Sequence, residues 1–368
     1  MSSIKGISKK KGIEMSKFWS SMVKRTEPYI PGEQLNEENI IKLNTNENPY
    51  PPSPDVLKSI QKEMEHKLQL YPSPSVDHLR QAIAAQHDVK KENIFVGNGS
   101  DEVLAFSFMA FFEPGKKILF PEITYSFYPV YSKLFNIPFE KIPLNSDFTL
   151  PKEEFFQSEG GVIFPNPNAP TGVYLSIRAV EEIVQNNPGC VVVVDEAYID
   201  FASGSAISLI NSYDNLLVVQ TLSKSRSLAG LRVGFALGNA ALIQALTRIK
   251  DSFNSYPIDR LAIVGAEAAM LDHTYFKQTT ERIIQTREWV AKELKDYHFH
   301  VIPSQANFLF VRHNDHQAKD LYERLKQEGV VVRHFDKDPI ANYLRITIGT
   351  DEEMKLLFTK LAFILDEG

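Results

Sequence analysis

The sequence has little cysteine, no excess of positive charge and no long apolar run. Its only cysteine, Cys190, excludes an intramolecular disulfide and suits a reducing compartment, so we expect a cytoplasmic protein. With 40 basic and 46 acidic side chains the formal charge is −6, which argues against a nucleic-acid partner because such proteins present a basic face. The apolar run at residues 190–194 has the length of a strand, whereas a membrane span needs roughly 18–20 residues, so no membrane partner is expected.

The remaining composition is that of an ordinary globular protein, 43% hydrophobic and 23% charged over 368 residues. One hydrophobic core seldom serves a chain of this length, which predicts more than one domain. We expect an N-terminal tail and arm at residues 1–43, a large domain at 44–255 and a small domain at 256–368. No apolar segment follows the lysines near the N-terminus, so a disordered tail is expected there rather than a secretory signal, and Met15 is a second candidate start.

Short apolar runs alternate with amphipathic stretches between residues 44 and 238. The runs are rich in Val and Ile and lack period-two alternation, which is typical of parallel strands buried on both faces. They predict an α/β fold with a mostly parallel open sheet and helices on both faces. The predicted strands are residues 117–120, 161–164, 191–195, 216–220 and 233–237. The predicted helices are residues 101–112, 125–135 and 177–186, with Ser100 and Ser176 as candidate N-caps.

The pattern changes after residue 254. Helical periodicity runs from residue 259 to about 297, and its length suggests a connection between domains. Strands are predicted at residues 307–311, 330–333 and 343–348, and helices at 317–327 and 352–365. These elements predict a smaller α+β domain.

A lysine follows one of the predicted buried strands, in the segment T-L-S-K-S-R-S-L-A-G-L-R-V-G at residues 221–234. Burial of an ammonium costs several kcal/mol unless it is paired or deprotonated, and forming an imine with an aldehyde removes the charge of Lys224. Thr221, Ser223 and Arg232 offer hydroxyl and guanidinium donors for a phosphate. A polar loop with a snorkelling lysine remains the alternative from this segment alone.

Three other segments carry chemically informative residues. Asp195 ends a predicted strand, where ligands bind in open α/β sheets, and can hold the proton of a pyridine nitrogen; Tyr198 follows it. The segment G-N-G-S-D-E at residues 97–102 leads into a helix and offers free N–H groups to an anion. The Pro-rich loop at residues 165–172 supplies the amide of Asn168. Read separately, these segments also fit an N-cap, a capped turn and a plain turn.

Taken together, the segments resemble the fold-type I enzymes that use pyridoxal 5′-phosphate (PLP), the class I/II aminotransferase superfamily. The order fits throughout: a glycine-rich helix start, a Pro-Thr-Gly loop, D-E-A-Y at residues 195–198, then S-K with an arginine eight residues after the lysine. Within this superfamily the chain is most similar to the histidinol-phosphate aminotransferases. That similarity rests on L-N-T-N-E-N-P at residues 43–49, Y-P at 71–72, G-N-G-S-D-E at 97–102 and L-R-I-T-I-G at 344–349.

The resemblance implies a role for each of these residues in binding PLP. Lys224 would form the Schiff base, Asp195 would pair with the pyridinium nitrogen, and Tyr198 would donate to the ring oxygen. Tyr125 would stack on the ring. The residues expected around the phosphate are Ser100, Asp101, Thr221, Ser223 and Arg232. Tyr71 is similar to the tyrosine that reaches the neighbouring subunit's cofactor, so a homodimer with shared active sites is expected.

The chain departs from the family's pattern at one position. Many relatives have asparagine directly before the Pro-Thr-Gly, and this chain has Ala169. The contact to the ring oxygen would then come from Asn168, with a local shift, or be left to Tyr198.

The resemblance also implies the reaction and the substrates. PLP-dependent amino transfer is expected between L-histidinol phosphate, an anionic amine donor, and 2-oxoglutarate, with no metal. Lys224 would move the proton, which requires a depressed pKa so that its amine is neutral. Arg345 would hold an α-carboxylate and Arg333 the distal anion, while Tyr29 and Asn46 complete the entry side of the pocket. The alternatives are an aromatic amino-acid aminotransferase, including dual activity, and a PLP-dependent decarboxylase or lyase on the same fold.

Overall fold

The computed structural model describes residues 16–29, 40–65 and 68–366. Much of the predicted tail, including Met15, lies outside the described residues. In chain order the strands of the described part are β1 (Ile41–Lys42), β2 (Ile94–Asn98), β3 (Ile118–Pro121), β4 (Phe139–Ile142), β5 (Gly161–Pro165), β6 (Val192–Asp195), β7 (Leu216–Thr221), β8 (Val233–Gly238), β9 (Phe299–Ile302), β10 (Phe308–His313), β11 (Val330–Val331), β12 (Arg333–His334) and β13 (Leu344–Thr347).

The helices surround these strands. In chain order they are α1 (Ser21–Arg25), α2 (Pro54–Met64), α3 (Asp77–Gln86), α4 (Gly99–Phe111), α5 (Phe127–Phe135), α6 (Ile177–Gln185), α7 (Ala240–Phe253), α8 (Arg260–Leu271), α9 (His273–Asp296), α10 (Ala318–Gln327) and α11 (Asp351–Asp366). Within residues 16–29, 40–65 and 68–366, no helix combines the length and apolar character that a membrane span requires.

A seven-stranded sheet in the order β2-β8-β7-β6-β5-β3-β4 forms the larger part of the molecule. Only β8 runs antiparallel to its neighbours β7 and β2; the other pairs are parallel. Successive residues of β6 face opposite sides, because Val192 and Val194 join one core cluster and Val193 joins another. Helices α3, α6 and α8 supply the first cluster, and α4, α5 and α7 the second. The predicted fold, a mostly parallel sheet covered on both faces, is confirmed.

Side-chain hydrogen bonds stabilise the N-termini of α4 and α6 beside the large sheet. Ser176 caps α6 as predicted, since its hydroxyl accepts from the N–H of Ala179 at 3.3 Å. The predicted cap at Ser100 is wrong, because α4 already begins at Gly99 and its N-cap is Asn98. The carboxylate of Glu102 reaches back to the N–H of Asn98 at 2.7 Å and thereby stabilises the earlier start. The helix predicted from residue 125 begins at Phe127 instead.

The helical pattern at residues 259–297 forms two helices, α8 and α9, instead of one. Asp272 separates them with a non-helical ψ of 77°, and its carboxylate accepts from the N–H of Tyr275 at 3.0 Å. An aspartate side chain competes with the backbone for such hydrogen bonds and so starts a new helix. The predicted helical periodicity is thus divided between two helices at this position.

A four-stranded antiparallel sheet in the order β12-β13-β10-β9 forms the smaller part. Its core cluster includes buried residues of α9, α10 and α11, as an α+β arrangement requires. The strand predicted at residues 330–333 is divided between two sheets: β11 pairs with β1, and β12 pairs with β13. An apolar run does not indicate which strands will pair with it, so residues 330–333 are predicted as one strand. The boundaries at residues 43/44 and 255/256 stay predictions.

The start of α4 packs closely against β8 at Gly234, which has no Cβ atom. A Cβ at Gly234 would stand 2.5 Å from the carbonyl carbon of Gly99 and closer still to the backbone nitrogen of Ser100. We predict that Gly234→Ala lowers the free energy of unfolding by roughly 1–3 kcal/mol, because rigid backbone must move apart. Urea unfolding of the cofactor-free protein measures this. Gly189→Ala is the matched control, since a Cβ there meets nothing within 4 Å; equal losses in both variants would contradict the prediction.

Candidate active site

Two adjoining cavities lie at the carboxyl ends of the parallel strands β5, β6 and β7, the edge where open α/β sheets bind ligands. The smaller has a volume of about 130 Å³ and the larger about 360 Å³. Both are lined by Tyr125, Ala169, Tyr198 and Lys224. All predicted cofactor residues except Asn168 and Tyr71 line the smaller cavity. All four predicted substrate residues line the larger one.

Lys224 follows β7 and is half-buried between the two cavities. Its ammonium donates to the carbonyl oxygen of Thr45 at 3.1 Å. Burial, with a smaller contribution from the positive charge of Arg345, lowers the pKa of Lys224 from 10.5 to about 8. A substantial part of its amine is therefore neutral near physiological pH.

Asp195, the last residue of β6, is buried and has no cationic partner in the part of the chain that the structure describes. Its carboxylate accepts from the hydroxyl of Tyr128 at 2.9 Å and from the N–H of Ala197 at 3.3 Å. Burial raises the pKa of Asp195 to about 6. A positive charge placed beside it would offset this desolvation, so the site fits a protonated pyridine nitrogen.

An anion cradle lies at the other end of the smaller cavity. Gly99, with a φ of +77°, begins α4, and a Cβ there would lie 2.6 Å from the guanidinium of Arg232. The hydroxyl of Thr221 donates to Ser223 at 3.0 Å. The side chain of Asn98 does not cap α4, so helix N–H groups remain free for an anion. Helix N–H groups, two hydroxyls and a guanidinium are the donors that a phosphate requires.

Within this cradle the side chain of Asp101 has partners of its own. It accepts from Arg232 at 3.0 Å and from the hydroxyl of Tyr125 at 2.6 Å. Burial raises the pKa of Tyr125, which stays protonated. Asp101 therefore orients Arg232 and Tyr125, and its own N–H, in the first turn of α4, is the group that faces an anion.

Ala169, and not Asn168, lines both cavities. The amide nitrogen of Asn168 donates to the carbonyl oxygen of Ile123 at 3.1 Å and to Thr171 at 2.9 Å, while its buried carbonyl oxygen has no partner among the described residues. Tyr198 lies in both cavities, and its hydroxyl accepts from Asn46 at 2.9 Å. The hydroxyl hydrogen of Tyr198 remains available to a ligand.

The larger cavity brings two arginines to one wall. Arg345 donates to the carbonyl oxygen of Asn44 at 2.9 Å, and its buried Nε has no partner among the described atoms. Burial and the nearby charge of Arg333 lower the pKa of Arg345. Both guanidinium groups lie against the ring of Phe335. Tyr29 reaches the same cavity from the N-terminal segment and packs on Phe127, with ring centroids 4.4 Å apart.

Tyr71 lies apart from both cavities. It is 79% exposed and stacks on Tyr256, with ring centroids 4.8 Å apart. Leu68 and Leu70 beside it are also exposed. Within one chain the described structure does not bring Tyr71 to the other predicted residues.

Sequence reasoning missed several residues that hold the site. The side-chain amide of Asn48 donates to the carbonyl oxygens of Lys224 at 2.9 Å and Ser225 at 3.2 Å. Tyr128 donates to Asp195, and its only sequence signal is a position one helical turn from Tyr125. Asn48 lies within the motif at residues 43–49, but nothing in the motif indicates a contact with residues 224–225.

The fold combines a large mixed sheet with a small antiparallel domain, which is the architecture of a fold-type I enzyme. Lys224, whose pKa is lowered by burial, lines the cavities of this fold. The family model for aminotransferase class I and II matches residues 38–361, so the chain belongs to this family and is an aminotransferase. It is 59% identical over 351 residues to histidinol-phosphate aminotransferase 1 of Oceanobacillus iheyensis, covering 95% of this chain and 99% of that protein. It is 53% identical to the histidinol-phosphate aminotransferase of Clostridium beijerinckii, covering 96% and 99%.

A solved structure supports the same fold. The histidinol-phosphate aminotransferase of Sinorhizobium meliloti in complex with pyridoxal-5′-phosphate superposes with a TM-score of 0.86 at 23% identity, covering 96% of this chain and 99% of that one. The predicted fold and the predicted family are thus confirmed.

The depressed pKa of Lys224 can be measured in the cofactor-free protein. We predict that the rate of amine acylation at Lys224 rises with a midpoint near pH 8, because only the neutral amine reacts. Arg345→Gln should move the midpoint for Lys224 upward, since a nearby positive charge is removed while burial remains. Peptide mass spectrometry across pH measures the acylation rate at Lys224 in both proteins. The absence of a midpoint near pH 8 in the wild-type protein would refute the prediction.

Proposed function

We propose that the chain catalyses PLP-dependent amino transfer between L-histidinol phosphate and 2-oxoglutarate, a step of histidine biosynthesis. The observation that carries the proposal is the wall formed by Arg333 and Arg345 in a cavity that opens onto Lys224. Amino transfer needs an amine that binds the cofactor and moves a proton, and these substrates need cations for their anionic groups. The names of the relatives support the same activity.

The smaller cavity supports a specific arrangement of the cofactor. Lys224 would hold PLP through its amine, Asp195 would supply a negative charge for the ring nitrogen, and Tyr198 would donate to the ring oxygen. We assign that last contact to Tyr198 alone, because both amide hydrogens of Asn168 have other acceptors. When bound, PLP supplies an electron-withdrawing ring that stabilises negative charge on the substrate carbon.

The remaining cofactor contacts concern the phosphate and the ring face. The groups proposed for the phosphate are the N–H groups of Ser100 and Asp101, the hydroxyls of Thr221 and Ser223, and the guanidinium of Arg232. Tyr125, which lines both cavities, stacks on the ring. Its hydroxyl is held by Asp101, so one carboxylate orients both Arg232 and the stacking ring.

Lys224 has the properties of the general base and acid of the reaction. With a pKa of about 8, the neutral and the protonated forms of the amine are both populated near physiological pH. Proton transfer in both directions requires both forms. The carbonyl oxygen of Thr45 accepts from the ammonium at 3.1 Å and orients it when it is charged. With PLP bound, Lys224 would be the group that accepts the proton of the substrate carbon and holds it for return.

Arg333 and Arg345 bind different groups of the substrates. The unpaired Nε of Arg345 and its adjacent Nη atoms suit a bidentate pair with an α-carboxylate. Histidinol phosphate has no carboxylate, so Arg345 serves the glutamate and 2-oxoglutarate half of the reaction. Arg333 binds the distal anion, either the phosphate or the side-chain carboxylate. Tyr29 and Asn46 complete the entry side of the pocket.

The assembly and location belong to the same proposal. A homodimer in which Tyr71 reaches the neighbouring subunit's cofactor is supported by its 79% exposure and by the exposed Leu68 and Leu70 beside it. A cytoplasmic location is supported by a single cysteine in the whole sequence.

A second candidate is transfer from aromatic amino acids. It is favoured by the apolar residues Phe120, Ile123, Phe335 and Ile340, which line the same cavity as the arginines. An aromatic side chain could pack there without a distal anion, so dual activity is compatible with the site.

Substrate preference is tested by mixing the yellow PLP-loaded protein with histidinol phosphate and, separately, with phenylalanine. We predict conversion of the cofactor absorbance to that of the amine form at far lower concentrations of histidinol phosphate. The physical reason is that its dianion meets cations that phenylalanine leaves unpaired. An equal or stronger response to phenylalanine would favour the second candidate. Release of carbon dioxide would indicate a decarboxylase.

The assignment of the lysine is tested separately. Lys224→Ala should reduce turnover below detection, because no other amine lines the smaller cavity among the described residues. Lys292→Ala, at an exposed position on α9, should retain full activity. Steady-state assays at saturating PLP make the comparison, and transamination by Lys224→Ala would overturn the mechanism.

A further inference from the structure

Two lysines that the proposed reaction does not use line the larger cavity. Lys141 belongs to β4, the edge strand of the seven-stranded sheet. Lys337 lies between β12 and β13 of the smaller sheet. Both line the cavity that contains Arg333. The lining of this cavity therefore includes one lysine side chain from each part of the molecule.

Neither ammonium group has a hydrogen-bond or ion-pair partner within residues 16–29, 40–65 and 68–366. The two are close enough to interact, since the positive charge of Lys337 adds to partial burial in lowering the pKa of Lys141, against an opposing effect of Glu122. Like charges in the lining of one cavity repel each other, and an anion that binds to both offsets the repulsion. An anionic group is therefore the ligand that these two side chains favour.

The charge of the whole cavity has the same sign. Its basic lining residues are Lys141, Lys224, Arg333, Lys337 and Arg345, and its acidic ones are Glu122 and Asp338. One bidentate pair with Arg333 satisfies a carboxylate. A phosphate monoester carries up to a second negative charge and has a third terminal oxygen, so further cations can bind it after Arg333 is engaged.

We propose that Lys141 and Lys337 are specificity-determining residues that bind the distal phosphate of the substrate together with Arg333. This inference rests on the proposed function and extends it. The phosphate binds Lys141 of the large sheet and Lys337 of the smaller sheet, and its negative charge offsets the repulsion between the two ammonium groups. A distal carboxylate engages Arg333 and gains less from the lysines, and a neutral aromatic side chain gains nothing from them.

Steady-state kinetics of Lys141→Gln, Lys337→Gln and the double variant test the proposal. Each single substitution should raise KM for histidinol phosphate roughly 5-fold, and the double substitution roughly 25-fold if the contacts add. The value of kcat should change little, because the proposed contacts are with the distal phosphate and not with the reacting atoms. KM for glutamate should change by less than about twofold, so the ratio of the two KM values is the measured quantity.

Binding without turnover gives a second readout. The Lys224→Ala variant loaded with PLP can be titrated by calorimetry with L-histidinol phosphate and with L-histidinol, which lacks the phosphate. Adding Lys141→Gln and Lys337→Gln to this variant should weaken the binding of histidinol phosphate and leave the binding of histidinol unchanged. Raised salt should reduce the affinity for histidinol phosphate less in the substituted protein, because fewer exposed charge contacts remain to be screened.

Matched controls separate this effect from a general loss of charge or of folding. Lys292→Gln removes an exposed positive charge far along the chain on α9 and should leave both KM values unchanged. Lys141→Arg and Lys337→Arg should retain the preference for phosphate, since the charge stays. A KM ratio is internal to each variant, so a smaller amount of active protein does not alter it.

The outcomes distinguish the inference from the function on which it rests. A wild-type protein that turns over histidinol phosphate, with unchanged KM and Kd ratios in the Gln variants, would overturn the role of the lysines alone. A wild-type protein that does not turn over histidinol phosphate would overturn the proposed function and the phosphate selectivity with it. A raised KM for histidinol phosphate with an unaltered KM for glutamate supports both.

Discussion

Segment 43–48 is hydrogen-bonded to both parts of the molecule, and the active site is assembled around it. Thr45 accepts from the ammonium of Lys224, and Asn48 holds the backbone carbonyls beside that lysine. Asn46 donates to Tyr198 in the large domain, while the carbonyl oxygen of Asn44 accepts from a guanidinium of the small domain. One short segment therefore sets the positions of Lys224, Tyr198 and Arg345 relative to each other.

The charges at this junction are left without the partners that would make the fold most stable. Asp195 is buried beside neutral donors, which raises its pKa to about 6, and burial lowers the pKa of Lys224 to about 8. Burial also lowers the pKa of Arg345, whose Nε has no partner in the described structure. Each group lacks an ion that cofactor or substrate can supply. Perturbed pKa values clustered in a cleft are typical of catalytic sites for this reason.

Much of the large domain could be predicted because its signals are local. Apolar runs such as β6 predict strands buried on both faces, and Ser176 predicts the start of the helix that it caps. The structure differs from the pattern where periodicity does not carry the deciding signal. A local hydrogen bond from Tyr275 to Asp272 interrupts a continuous helical pattern, and the run at residues 330–333 divides between two sheets whose partners lie elsewhere in the chain.

The sequence by itself determined the order of the cofactor motifs, which put Lys224 and Asp195 at the ends of neighbouring strands. Residues at the carboxyl ends of parallel strands converge at one edge, so their chemistry follows from local patterns. Only the tertiary structure decided which remote side chains complete the site. Asn48 donates to the backbone of residues 224–225, and Lys141 and Lys337 line one cavity, although nothing in their own segments indicates these positions. Packing of distant elements brings them together, and periodicity carries no information about such packing.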